Sequence, residues 1–436
     1  MTTDRRLEQR LPDLLADLYM GPMPAYRDHV LEATARTPQR APWSFVGRWA
    51  PFLGDHRWSR ATPQVSWRSI GLAVVLAALT LALIALLIAG SRPRLPDPFG
   101  LARTGLVAYE SEGDIYTVDL ETGASTPVVT GPETDLEPRW SLDGARLAFE
   151  RRMTGTDDAG LVFVAYADGS AMVQITPEPL NAITGYAFSP TGAEVLVNAV
   201  VAGVPTILFA ASDGSGIRQL DVDIGRFRRP ATQGAWRPPD GSEVLFMEGG
   251  DPSVGLGGIR AAPSAAGPVR TIVEPTAGRH RDLAEWSPDG ARVAYMEWTD
   301  AEIITSRIHV ISADGTGDRV LPMPPSAVWE VFRGWSNDGT RLLAIRGYTG
   351  DWAGSVAVVR LADGTDVGLE IDEAAIRDGN CCSTWEWAPD DSVILGVPAD
   401  NAGAPREQVR IDPVTGVVTA VPWSTSSLPS WQRLPD

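Results

Sequence analysis

Apolar residues fall into two patterns along this chain. Residues 70–90 run without a charge, and Thr80 is the only strongly polar side chain among them. A helix of that length rises roughly 30 Å at about 1.5 Å per residue, the thickness of a bilayer's hydrocarbon core. Trp67 and Arg68 precede it and Arg92 and Arg94 come after it, the residue types of interfacial anchors. A transmembrane helix over 70–90 is therefore predicted. A cleaved leader is disfavoured, because 69 residues come first. After residue 100 the apolar positions shorten into strand-like pieces bounded by turn residues, such as Arg292-Val293-Ala294-Tyr295-Met296 after Ser287-Pro288-Asp289-Gly290.

These pieces repeat. An aromatic anchor recurs at Trp140, Phe188, Trp236, Trp286, Trp335, Trp387 and Trp431, at intervals of 48, 48, 50, 49, 52 and 44 residues. A period near that length marks a propeller or a solenoid. A turn comes after each anchor: Ser141-Leu142-Asp143-Gly144, Ser189-Pro190-Thr191-Gly192, Pro238-Pro239-Asp240-Gly241, and Ser336-Asn337-Asp338-Gly339 beside the one above. Pro presets the first corner, Asp caps the backbone, and Gly takes the positive φ. The sixth, Ala388-Pro389-Asp390-Asp391, lacks the glycine, and a looser turn is expected there.

Further strands are read at 114–119, 161–165, 206–210, 307–312, 355–360 and 407–412, most running into a second turn such as Ala313-Asp314-Gly315. The fourth unit is weakest, with Ala, Pro and Gly over 258–267 where a strand is expected. The ends complement each other. Residues 105–130 supply later strands of a unit that lacks its first, and Ser430-Trp431-Gln432 supplies a first strand that lacks the rest. Joining them closes a ring and removes exposed sheet edges.

The anchor with its Ser-Pro-Asp-Gly turn resembles the WD-repeat-like propeller repeat of TolB, and the amino-terminal propeller of the dipeptidyl peptidase IV and prolyl oligopeptidase families. The resemblance covers about residues 101–436 and implies an all-β propeller of four-stranded antiparallel blades. The anchors count seven blades; six, the common number in TolB-like propellers, is the alternative. The predicted organisation is a partly helical, basic, Trp- and Pro-rich segment over 1–69, the transmembrane helix over 70–90, a Pro-rich linker over 91–100, and the propeller over 101–436.

Charge orients the chain. All 37 basic residues are arginine, which fits a high-GC, bacterial genome. Residues 1–69 carry 10 Arg against 7 Asp and Glu, net +3, and residues 70–436 carry 27 against 48, net −21. The three arginines within twenty residues on either side of the span tie, so the broader asymmetry is used, placing the amino terminus in the cytoplasm and the propeller outside. Leu7, Leu11, Leu14, Leu15 and Leu18 share one helical face, and a second helix is read over 26–36. The Trp- and Pro-rich stretch after it is either an interfacial segment or a disordered linker. This layout is similar to that of transmembrane anti-sigma regulators, without their zinc pattern, since His29 and His56 have no nearby cysteine.

An acidic outer domain repels phosphate backbones, so nucleic acid is excluded as a partner. Cys381 and Cys382 form either a vicinal disulfide or two free thiols, and no zinc spacing surrounds them. No nucleophile elbow or phosphate loop occurs, and the chain ends at the closing strand, leaving no room for the hydrolase domain of the peptidases. A non-enzymatic binding or scaffolding role is expected, with no catalytic residue, metal or cofactor. Its partners are the membrane and another protein or an envelope ligand. The rivals are an anti-sigma-like regulator with the propeller as sensor, and a lyase or glycan hydrolase in the channel. Long connections oppose the tight turns and are the expected binding face. Arg152, Trp298, Tyr348 and Trp352 are its candidates, the aromatics either anchoring a partner or packing over blade edges. The tether arrives on the tight-turn face, which turns the long loops away from the membrane.

Overall fold

The computed structural model describes residues 67–90, 96–153, 159–220, 235–248, 257–299, 302–348, 354–362, 384–397, 408–423, 425 and 427–435. Two compact units result, Met1–Arg92 and Pro93–Asp436. The helices expected before residue 40, together with Trp352, Cys381 and Cys382, lie outside the described residues.

In the first unit, α1 spans Trp67–Gly90. Its side chains are described at Trp67 and 71–81, and all are exposed, Leu72, Val74, Leu76, Leu79 and Leu81 by more than half. Thr80 returns its hydroxyl to the Leu76 and Ala77 carbonyls at 3.0 and 2.9 Å, so the one polar side chain is satisfied within the helix. Among the described residues no helix is long and apolar enough to cross a membrane.

The second unit is all-β and antiparallel. The first sheet contains β1 (Arg103–Ser111), β2 (Asp114–Val118) and β3 (Ser125–Val129). Next come β4 (Thr134–Trp140), β5 (Arg146–Arg152), β6 (Ala159–Tyr166) and β7 (Val173–Gln174), then β8 (Leu180–Phe188), β9 (Glu194–Val201), β10 (Val204–Ala211) and β11 (Ile217–Gln219). These eight form one hydrogen-bonded sheet, joined where Ala159 and Gly160 pair with Asn181 and Leu180. Beyond it lie β12 (Glu243–Glu248), β13 (Gly258–Pro263) and β14 (Arg270–Val273), and after them β15 (Arg279–Trp286), β16 (Arg292–Thr299), β17 (Glu302–Ser312) and β18 (Arg319–Val320). The last sheets are β19 (Trp329–Trp335), β20 (Arg341–Gly347) and β21 (Gly354–Arg360), then β22 (Thr384–Trp387), β23 (Ile394–Val397), β24 (Val409–Ile411) and β25 (Val418–Ala420). The final strand, β26 (Ser430–Leu434), joins the edge of β1 with Trp431 opposite Val107, so the two chain ends of this unit close one sheet.

Every anchor is buried, from Trp140 at 1 % exposed to Trp335 at 8 %. The turns after them explain their composition. Ser141 Oγ donates to Asp143 Oδ1 at 2.5 Å and accepts the Arg146 N–H at 2.9 Å, while Gly144 N–H closes on the Ser141 carbonyl at 2.8 Å. Ser287, Asp289 and Arg292 repeat the set, as do Ser336, Asp338 and Arg341. At Gly290 two demands coincide: φ is +64°, and a Cβ would lie 2.2 Å from the Pro238 carbonyl oxygen of the preceding unit.

The turn without glycine is not looser. Asp391 takes φ +60° and its N–H reaches the Ala388 carbonyl at 2.9 Å, as the glycines do. Its carboxylate accepts from the N–H groups of Asn337 and Asp338 and from Asn337 Nδ2, at 2.7 to 3.0 Å, which offsets the strain of a left-handed aspartate. The fourth unit also departs from expectation, since 258–263 is a regular strand with Ala261 and Ala262 fully buried. There the first strand is reduced, among the described residues, to a single bridge between Trp236 and Val244. Residues 280–285, directly before the Trp286 anchor, belong to β15.

Arginines stitch neighbouring units. Arg146 lies 5.7 Å from the Phe188 ring, Arg237 5.1 Å from Trp286, Arg292 5.3 Å from Trp335 and Arg341 4.9 Å from Trp387. Each places a guanidinium on the anchor of the next unit, a contact worth about 0.5–2 kcal/mol according to its desolvation.

Candidate central-channel site

The first strands surround a common cavity of about 280 Å³ whose lining draws on all the anchors except Phe188. Bulges aim polar groups into it. Register shifts fall between Leu136 and Arg139, Asn181 and Gly185, Asp282 and Glu285, and Phe332 and Gly334, with Glu137, Ala182 and Leu283 at positive φ. An extra residue bends the strand and re-aims the side chains beyond it. Among the lining residues are three carboxylates, Glu137, Glu285 and Glu386, and three guanidiniums, Arg139, Arg333 and Arg433. Balanced charge on indole walls suits a ligand that carries both polar and apolar surface.

Enclosure shifts Glu386 and Arg433 among them. Burial pushes the Glu386 carboxyl up to about 7, opposed by Arg139 and by the Trp431 backbone N–H that it accepts, and reinforced by Glu285. Glu386 is only half-buried by surface, because the cavity is open to water while its walls enclose the carboxyl. Burial and then the Glu137 charge raise Glu150, on the adjoining β5, to about 7 as well. Burial pulls Arg433 down to about 10. Tyr186, raised by burial, donates to the Glu137 carbonyl at 2.5 Å and fixes the bulge.

These shifts make stability depend on pH. Folded Glu386 keeps its proton to about pH 7 while the unfolded side chain, near 4.5, has lost its own. The native state thus binds more protons between these values, and stability falls as pH rises through that window. Replacing Glu386 with Gln is expected to stabilise the protein by an amount that grows from pH 4.5 to 7 and then levels off, at most about 3 kcal/mol. Glu150 leaves a residual slope. Denaturant titrations of both proteins at pH 5 and 8 check this, and an equal difference at both values refutes it.

The binding-face candidates lie elsewhere. Arg152, exposed at the end of β5, has Nε 3.9 Å from Glu150 Oε1. Trp298 is half-buried near the end of β16 and stacks on His280 with centroids 5.4 Å apart. Tyr348, 39 % exposed, comes directly after β20. All three sit at strand ends opposite the Ser-Asp-Gly turns, and none lines the cavity. Among the described residues, no group of three or more His, Cys, Asp or Glu side chains is placed to hold a metal ion.

Sequence reasoning did not single out the channel groups, although their signal was visible. Arg139, Glu285 and Glu386 each immediately precede an anchor, where three charged residues in a buried strand demand a wet surface.

The sequence matches no protein family and no curated protein. Solved structures are similar to it. An oligogalacturonate lyase in complex with manganese superposes with a TM-score of 0.53 at 14 % identity, over 74 % of this chain and 86 % of the lyase. A prolyl endopeptidase gives 0.51 at 14 % identity over 83 % of this chain and 56 % of its own. TolB from Acinetobacter baumannii gives 0.44 at 13 % identity, over 75 % and 81 %. The likeness is one of fold, an all-β antiparallel propeller.

Proposed function

We propose that the chain is a membrane-tethered, extracytoplasmic propeller of seven blades that binds a ligand or partner protein in its central channel. The observation that carries this reading is the channel lining, in which indoles alternate with three carboxylates and three guanidiniums. Seven blades are favoured because the eight-stranded sheet is joined at two residue pairs only, as two blades in contact. The tether rests on α1, whose sequence is uncharged from residue 69 to 90 and whose described apolar side chains are unpacked. At about 1.5 Å per residue its 24 residues reach roughly 36 Å.

Two measurements on the full chain test the proposal. Alkaline carbonate washing of membranes is expected to leave it in the pellet; release to the supernatant removes the tether. Thermal unfolding of the detergent-solubilised chain against short peptides and oligosaccharides is expected to rise by a few degrees with a channel ligand, since saturation at a hundredfold Kd adds about 2.7 kcal/mol. The rise should vanish in Glu285→Gln/Arg333→Met. If no panel member shifts the transition, the channel is not a ligand site.

A second reading, a lyase or glycan hydrolase in the channel, is favoured by the Glu386 carboxyl poised near neutrality with Glu285 beside it. Incubation with oligogalacturonate, the substrate class in the lyase's name, is its test, and unchanged chain length refutes that activity.

A further inference from the structure

The channel already holds a piece of this chain. Pro98, Phe99 and Gly100 line the cavity together with Pro238, Pro288 and Pro389 of the anchor turns, so the residues leading into β1 occupy its turn-face end. They are fastened there. Ala102 donates its N–H to the Pro389 carbonyl at 3.0 Å. Arg433, 7 % exposed in the closing strand, donates from one Nη to the carbonyls of Asp97 and Gly100 at 3.2 and 2.6 Å and from the other to Asn337 Oδ1 at 3.1 Å. Both ends of the 97–100 loop thus hang on one guanidinium. Its apex crosses to another wall, where Phe99 packs on the cluster of Ala187, Phe209, Trp236 and Phe246.

Resting on the channel-binding reading, we infer that the turn-face end of the channel is a peptide-binding subsite for an extended Pro-aromatic-Gly segment, and that residues 97–100 are its built-in occupant. The recognition chemistry is on display: a buried guanidinium that takes two main-chain carbonyls, and an apolar pocket that takes one ring. Such a subsite reads backbone and one aromatic side chain, the economy by which short peptides are bound. Because the occupant is tethered, it competes at an effective concentration near millimolar, so an outside peptide of the same chemistry binds only as the strap leaves.

The test uses the full chain in detergent and a fluorescein-labelled heptapeptide copying residues 95–101, Leu-Pro-Asp-Pro-Phe-Gly-Leu. The Pro98→Ser/Phe99→Ser chain is expected to bind this probe at least tenfold more tightly than the unaltered chain, and a probe with Ser in place of Phe is expected not to bind it. Equal binding by both chains, or by both probes, overturns the inference. Hydrogen exchange of the Ala102 amide, which donates to the Pro389 carbonyl, gives an independent reading: protection in the unaltered chain and its loss in the variant are expected, and free exchange in the unaltered chain overturns the strap. A channel ligand found in the thermal panel with no heptapeptide binding would defeat the subsite alone; silence in both would defeat the channel reading as well.

Discussion

Exchanging Arg346 for Met is expected to cost about 3–5 kcal/mol at pH 8 and distinctly less at pH 5. Arg346 and Glu330 are both wholly buried, on β20 and β19, with Nε 3.0 Å from Oε2. The other carboxylate oxygen accepts the Ile308 N–H at 3.2 Å, and burial already raises Glu330 above the usual range. Removing the guanidinium leaves the charge in a dry site with only the weaker pull of Arg307, so the carboxyl titrates higher still. A folded pKa above the unfolded one means that stability is lost as pH rises, and the penalty is therefore greatest where Glu330 must ionise. The double change Glu330→Gln/Arg346→Met keeps an acceptor for Ile308 and abolishes the charge, so most of the loss should return. Denaturant titrations at the two pH values read both effects. A pH-independent loss that the second change does not repair would show that the arginine acts by packing alone.

The same device recurs where Asp135 on β4 faces Arg151 on β5, and with acid and base exchanged where Arg281 on β15 faces Glu297 on β16. Each joins the start of a first strand to the end of a second, on the face opposite the anchor turns. Fold periodicity was legible because a buried aromatic anchor followed by a tight turn recurs at nearly constant intervals, even where a turn residue changes. The ion pairs were not, because swapping acid for base between units keeps the interaction while erasing the pattern. The channel was hidden for a related reason. Glu137 and Arg333 reach the cavity through bulges, and a bulge breaks the alternation that sequence reading relies on. Asp391 shows the limit at one residue, since its fitness for a left-handed position depends on amide donors from a turn some fifty residues earlier. The strap at 97–100 lay in a stretch whose prolines read as linker, and its partners, Arg433 above all, lie far downstream in the sequence.

Truncating Trp431 to Ala is expected to do more than empty a pocket. Its side chain, 5 % exposed, packs with Val107, Tyr109, Ala388 and Leu395, and large-to-small changes at such sites cost about 3–5 kcal/mol. The strand that carries it also holds the two sides of the seam. Ser430 Oγ accepts the Trp140 N–H at 3.1 Å, Gln432 donates to the Gly144 carbonyl at 2.7 Å and accepts from the Leu106 N–H at 3.2 Å, and Glu386 accepts the Trp431 N–H. Weakening β26 therefore exposes the edge of β1, an edge that no other strand among the described residues covers. Trp286→Ala removes an equivalent indole from mid-ring and should cost a similar amount while leaving β1 paired. The two variants are distinguished by hydrogen exchange of amides 103–111 under native conditions: these should open well below the global unfolding free energy in Trp431→Ala and stay protected in Trp286→Ala. Equal protection in both would mean that the ladder between β1 and β26 persists without its indole, and that the ring is held closed by backbone pairing and the arginine contacts rather than by the terminal anchor.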